Sequence, residues 1–242
     1  MTPPTVVLVG ADKGGVGKTM TARALLDYLA AHQVPVRVFD SQSGGDLIRF
    51  APEATLIDLA SVADQMKVFD GVSAETVTVV DICAGLLSPT LRALDEAQLL
   101  ADVRSGAMRL VVLHVLGASM VSIGEIATAS KSLGGAKHLI VKNHASATDF
   151  SEWDKGPAQA IFAKYSDVTI TIDRLVDPAP KLLEMRAIEE RGGSFLSFIN
   201  DPGESRMMRG RVNSWLSRVW AEFERVNVRG PDVPSEGASD HE

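Results

Sequence analysis

The chain has 242 residues, 45% of them hydrophobic, a formal net charge of −7 and one cysteine, Cys83. That length suits one α/β domain with a large core, and the lack of both an apolar run of about eighteen residues and a basic leader argues for a soluble, cytoplasmic protein. A single cysteine excludes an internal disulfide framework and a C-x-x-C metal pair, and the negative balance excludes nucleic-acid binding except through a local basic face.

The first predicted element is a buried strand, Val6, Val7, Leu8 and Val9, which runs into G-A-D-K-G-G-V-G-K-T-M-T over residues 10–21. Three glycines there (Gly14, Gly15, Gly17) let consecutive N–H groups turn inward on a polyanion, and the helix that follows aims its positive end at the same point. Lys18 adds a charge for the β- and γ-phosphates of a nucleotide, and Thr19 a hydroxyl where a bridging magnesium ion would sit. The usual spacing G-x-x-x-x-G-K-[ST] is broken at Asp12, and a second lysine, Lys13, stands inside the loop.

Ala22, Leu25, Leu26 and Leu29 recur at helical spacing over residues 19–32, and Pro35 closes that helix. Val34, Val36, Val38 and Phe39 predict a second buried strand ending at Asp40, followed by the polar turn S-Q-S-G-G-D. Residues 56–69 read as a short helix. T-V-T-V-V-D-I over 76–82 is a third strand with Asp81 at its carboxyl end, and strands follow at 109–116 and 137–142, with helical periodicity over 87–103 and 119–133 between them. The threonines of 168–172 mark a weaker strand at an edge or half exposed. Strands alternating with helices predict a doubly wound, mostly parallel sheet with helices on both faces, binding its ligand at the carboxyl ends of the strands. There is no internal repeat, and one domain over 1–230 is expected, followed by an acidic, disordered tail over 231–242.

The string K-G-G-V-G-K-T resembles the deviant Walker A loop of the ParA/MinD-type P-loop ATPases, in which the first lysine reaches the nucleotide of a dimer partner. The resemblance covers roughly the first ninety residues tightly. It implies ATP and Mg2+ as cofactors, an ATP-dependent sandwich dimer, and nucleotide contacts from Lys13, Gly14, Gly15, Val16, Gly17, Lys18, Thr19 and Met20. Asp40 and Asp81 take the places of acids that hold the magnesium shell with Thr19. Asn143 lies where relatives set an asparagine against the adenine edge, although a plain turn role in K-N-H is nearly as good a reading. Gln42 stands where the family has a second aspartate that orients or activates water. Catalysis therefore falls to Lys13, Lys18, Asp40 and Gln42, and basal hydrolysis should be slow, unless Asp46 substitutes.

His114, His138 and His144 lack metal spacing and read as structural or surface residues. Residues 205–227 form an amphipathic helix with the stripe Met208, Val212, Trp215, Val219, Phe223 and Val226. Arg211, Arg218 and Arg225 recur every seven residues on it. They suit either non-specific contact with DNA phosphates or a solvated face paired with Glu222 and Glu224. The cysteine count argues against iron–sulfur carriers, two tyrosines argue against the tyrosine-kinase branch, and the acidic end favours a ParA-like over a MinD-like relative. The function expected is a ParA-like ATPase that positions or partitions DNA (plasmid or chromosome) or another cargo and is activated by a protein partner. Two rivals stand beside it. One is an ATP-dependent ligase of the dethiobiotin synthetase kind, which Lys13 argues against; the other is a non-hydrolysing, ATP-switched interaction module.

Overall fold

The computed structural model describes residues 2–116, 121–133, 135–144, 150–151, 159–160, 168–189 and 193–230. The acidic stretch 231–242 lies outside them. Among the described residues, seven parallel strands form one sheet: β1 (Thr5–Gly10), β2 (Val36–Asp40), β3 (Thr55–Leu56), β4 (Val77–Asp81), β5 (Arg109–Val115), β6 (Lys137–Asn143) and β7 (Thr169–Ile172), in the spatial order β3-β2-β4-β1-β5-β6-β7. The helices are α1 (Lys18–Ala31), α2 (Val62–Phe69), α3 (Leu87–Glu96), α4 (Leu99–Ser105), α5 (Val121–Ser132), α6 (Ala179–Ile188), α7 (Phe195–Asn200) and α8 (Arg206–Arg225).

Both faces of the sheet are covered, which is why its central strands read as continuous apolar runs rather than as alternation. Along β1, Val7 and Val9 face a core shared with Leu25, Tyr28 and Leu29 of α1 and Trp215, Val219 and Phe223 of α8. Val6 and Leu8 face the opposite core, with Leu91 and Leu94 of α3, Leu100 of α4 and Ala129 of α5. The predicted C-terminal stripe is thus core: Val212, Trp215, Val219 and Phe223 are buried to within 2% of full exclusion, and the Trp215 indole N–H donates to Asp173 O at 2.7 Å.

Three local expectations change. The periodicity over 87–103 is two helices, because Gln98 adopts φ 61° and the chain turns between Glu96 and Leu99. The segment 56–69 begins as β3, paired to Phe39 and Asp40, and becomes helical only from Val62. Helices α6 and α7 were not anticipated; α7 is capped by the Ser194 hydroxyl, which accepts Ser197 N–H at 2.9 Å. The weak strand at 168–172 is β7, at one edge of the sheet.

Register fixes the site. Asp40 is the lateral partner of Asp81, Asp81 of Val9, and Gly10 of His114, so β1, β2 and β4 all deliver their last residues to the same carboxyl edge.

Candidate nucleotide site

The loop between β1 and α1 is held in shape from three sides. Gly17 has φ 90°, which a residue with a Cβ adopts only under strain. Its surroundings also forbid a side chain, since a Cβ there would lie 2.2 Å from Asn143 Nδ2. Gly17 O accepts Thr21 N–H at 3.0 Å, the Thr21 hydroxyl at 3.0 Å and the Asn143 amide at 3.1 Å. Asn143, 1% exposed at the end of β6, therefore grips the loop itself at the point where it becomes helix.

Beyond that point the helix presents Lys18 and Thr19. Lys18 is 4% exposed, and the Thr19 hydroxyl donates to Asp81 Oδ2 at 2.7 Å. Asp81 is fully buried, and its other oxygen, Oδ1, has no hydrogen-bond partner. Burial pushes its pKa up to about 7; Asp40 and Asp46 push in the same direction, while the Thr19 hydroxyl and Lys18 oppose them. A buried carboxylate with a free oxygen beside an aliphatic hydroxyl is a pair of hard oxygen donors. These residues fit a magnesium ion, which would be held by Thr19 and Asp81 and would neutralise phosphate charge there.

Asp40 is also fully buried, but its oxygens are engaged. Oδ1 accepts Gln42 N–H at 2.9 Å, and Oδ2 accepts Leu47 N–H at 2.8 Å and Ile48 N–H at 3.4 Å. It folds the 41–48 loop around itself. Gln42 is half-buried at the start of that loop, and its carbonyl accepts Gly45 N–H at 2.8 Å. Ser41, which sequence reasoning passed over, ties the two acid-bearing strand ends together. Its hydroxyl donates to Asp81 O at 3.1 Å and accepts Cys83 N–H at 2.7 Å. Lys13, Gly14 and Gly15 are exposed at the loop tip, and Val16 is buried beneath it. A cleft of about 250 Å3 opens beside Thr19 and Met20, walled by Arg23, Asp46, Phe50 and Glu184.

The histidines stay apart from this chemistry. His114 Nδ1 and His138 Nε2 lie 3.2 Å apart between β5 and β6, and burial followed by His114 presses the His138 pKa down to about 3. Among the described residues no three His, Cys, Asp or Glu side chains are grouped to hold a metal.

A profile of the CobQ/CobB/MinD/ParA nucleotide-binding domain matches residues 7–201, most of the chain and all of the site just described. The chain belongs to that family. Its fold is shared by a nucleotide-binding protein of Archaeoglobus fulgidus solved in complex with ADP, at 17% identity, 78% of this chain, 89% of that one and a TM-score of 0.52. Looser likenesses are a ParA family ATPase of Chlorobium tepidum (14% identity, 89% and 99% covered, TM-score 0.47) and a putative plasmid partition protein of Borrelia burgdorferi bound to AMPPNP (10%, 92% and 99%, TM-score 0.48). No curated protein matches the sequence significantly. As a CobQ/CobB/MinD/ParA domain, the chain carries the glycine loop and both strand-end acids inside the matched region. No helix among the described residues is long and apolar enough to cross a membrane.

Proposed function

We propose that this domain is a ParA-like ATPase that binds Mg-ATP, dimerises on it, hydrolyses it slowly and positions DNA or another cargo. The observation that carries the reading is the convergence of a glycine-shaped loop, a buried Lys18 and the Thr19–Asp81 pair at one carboxyl edge. The N–H groups of 14–19 and the Lys18 ammonium hold the β- and γ-phosphates, and Met20 flanks them. Asn143 grips the loop at Gly17 O and, as in relatives of this fold, meets the adenine edge. Thr19 and Asp81 would hold a magnesium ion, which would shield the phosphate charge there. Asp40 acts through the loop it organises, setting where Gln42 stands. The Gln42 amide orients water but takes no proton, so turnover is slow until a protein partner completes the site. Exposed Lys13 reaches across to the partner subunit's nucleotide.

The apolar face of α8 is buried in the core, so that face is unavailable to a lipid surface, which supports a ParA-like over a membrane-targeting reading. DNA as cargo draws on Arg211, Arg218 and Arg225. Two of these have acidic partners, Arg218 with Asp173 at 3.4 Å and Arg225 with Glu222 at 2.8 Å. Exposed pairs of this kind contribute little, so phosphates can replace them.

Nucleotide binding and turnover of three proteins test the reading. Lys18→Ala should weaken Mg-ATP binding at least tenfold, as expected for a lost charge-assisted contact of about 1.5–3 kcal/mol. Gln42→Asp should raise basal turnover by roughly 10²-fold. Unchanged affinity in the first variant would remove the site assignment, and fast hydrolysis by the wild type would remove the role of Gln42.

A further inference from the structure

Position 12 breaks the glycine pattern of the phosphate loop, and its side chain turns out of the loop. Asp12 Oδ2 accepts the Ser88 hydroxyl proton at 2.6 Å, and Oδ1 accepts Ser88 N–H at 3.3 Å. Ser88 lies in the first turn of α3, whose N–H groups have no intrahelical acceptor, and a negative charge there is favourable. In a loop built for a polyanion the same charge, left free, would repel the ligand. The bond to Ser88 gives it another place to be.

The contact is continuous with the metal-binding corner. A Cβ on Gly10 would lie 2.9 Å from Leu87 Cδ1, so the loop's first residue is pressed against α3. The segment from Asp81 to Ser88 thus meets the loop at both ends, through Thr19 at Asp81 and through Asp12 at Ser88. Helix α3 packs in turn on α4 and α5, on the sheet face opposite α8.

We propose that Asp12 is a positioning residue whose bond to Ser88 couples occupancy of the phosphate loop to the first turn of α3. This rests on the loop being an ATP site. Bound polyphosphate repels the Asp12 carboxylate and drives it harder onto Ser88, so α3 tightens when the loop fills, more for ATP than for ADP, which carries less charge.

Hydrogen–deuterium exchange over residues 82–91, with and without a non-hydrolysable ATP analogue, tests this on the wild type, Asp12→Ala, Asp12→Asn and Ser88→Ala, with affinity measured alongside. In the wild type the analogue should slow exchange in the first turn of α3 several-fold, and ADP should slow it less. Asp12→Ala and Ser88→Ala should each lose that slowing. Asp12→Asn keeps an oxygen for the Ser88 hydroxyl and removes the charge. It should retain the ligand-free protection, lose the nucleotide-dependent increment, and bind ATP about threefold to tenfold more tightly than the wild type. Normal ATP binding with wild-type slowing in Asp12→Ala or Ser88→Ala overturns the coupling alone, as does Asp12→Asn behaving like Asp12→Ala throughout. A wild type that binds no ATP overturns the ATP reading and the coupling with it.

Discussion

Asp81 has one oxygen on the Thr19 hydroxyl and the other buried without a protein partner, so the fold itself leaves part of this carboxylate's desolvation uncompensated. Asp81→Asn removes the charge and keeps an oxygen for Thr19. We predict that it raises the melting temperature of the ligand-free protein by roughly 2–12 °C, from about 1–3 kcal/mol of relieved cost, and abolishes the dependence of nucleotide affinity on magnesium. Scanning fluorimetry and titration with and without Mg2+ check both halves. A lower melting temperature would mean that the carboxylate stabilises the fold. Gly17→Ala is the complementary case. With φ 90° and Asn143 Nδ2 2.2 Å from where a Cβ would go, the loop must shift. Nucleotide binding should fall by at least about tenfold, from roughly 1–2 kcal/mol of backbone strain plus the displaced amide, while the circular dichroism spectrum stays that of the wild type.

At the scale of elements, α1 and α7 are joined by a buried acid. Asp27 Oδ2 accepts the N–H groups of Phe195 at 2.6 Å and Leu196 at 3.3 Å, serving the first-turn donors of a helix that starts 168 residues later. Arg23, one turn earlier, stacks on Phe50 with its guanidinium carbon 3.5 Å from the ring centre and donates to Gly193 O at 2.9 Å. Burial pushes the Asp27 pKa up to about 6, against the opposing pull of those N–H groups and of Arg23. The native state then holds this proton more tightly than the unfolded chain. Its contribution is fully present below about pH 4 and is lost as pH rises through about 6. Asp27→Asn should remove this component, so the wild-type minus variant stability should fall by on the order of 2–3 kcal/mol between pH 4 and pH 7 in denaturant titrations. A constant difference would show that Asp27 titrates normally.

For the whole molecule, charge placement decides what can dock. The net charge of −7 opposes DNA, and the arginines of α8 are the local exception. They are not equivalent. Arg225 also donates to Thr169 O of the edge strand β7, so it supports the fold as well as the surface, whereas Arg211 is exposed. If these arginines contact DNA, three phosphates per protomer and six per dimer predict a log–log salt slope of roughly −5 for ATP-dependent retention. Arg211→Ala with Arg218→Ala should flatten that slope without changing the melting temperature, and Arg225→Ala should lower both. Absence of retention at low salt would return the stripe to a solvated face. Dimerisation is measured separately, by gel filtration with ADP and ATP. Lys13→Ala should abolish the ATP-dependent shift in size, because a charge supplied across an interface to a desolvated triphosphate matters more than one on a wet surface.

The parts of this protein that the sequence determined by itself are those whose physics is local. The apolar runs of β1, β4, β5 and β6, the glycines and lysines of the loop, and the acids closing β2 and β4 were legible because each pattern lies within a dozen residues. The edge position of β7 was legible from its threonines. The two-residue β3 carries too short a pattern to read, and the helix break at Gln98 depends on a positive φ that glutamine does not advertise. What only the tertiary structure decided is where the polar side chains finish. Asp40 turns to the backbone of its own loop, Asn143 reaches Gly17 across 126 positions, and Asp12 reaches Ser88 across 76. The last two partners are chosen by strand order, which sets β4 with α3 on one side of β1 and β5 then β6 on the other. That order follows from burying both faces of one sheet, a condition no stretch of sequence expresses alone.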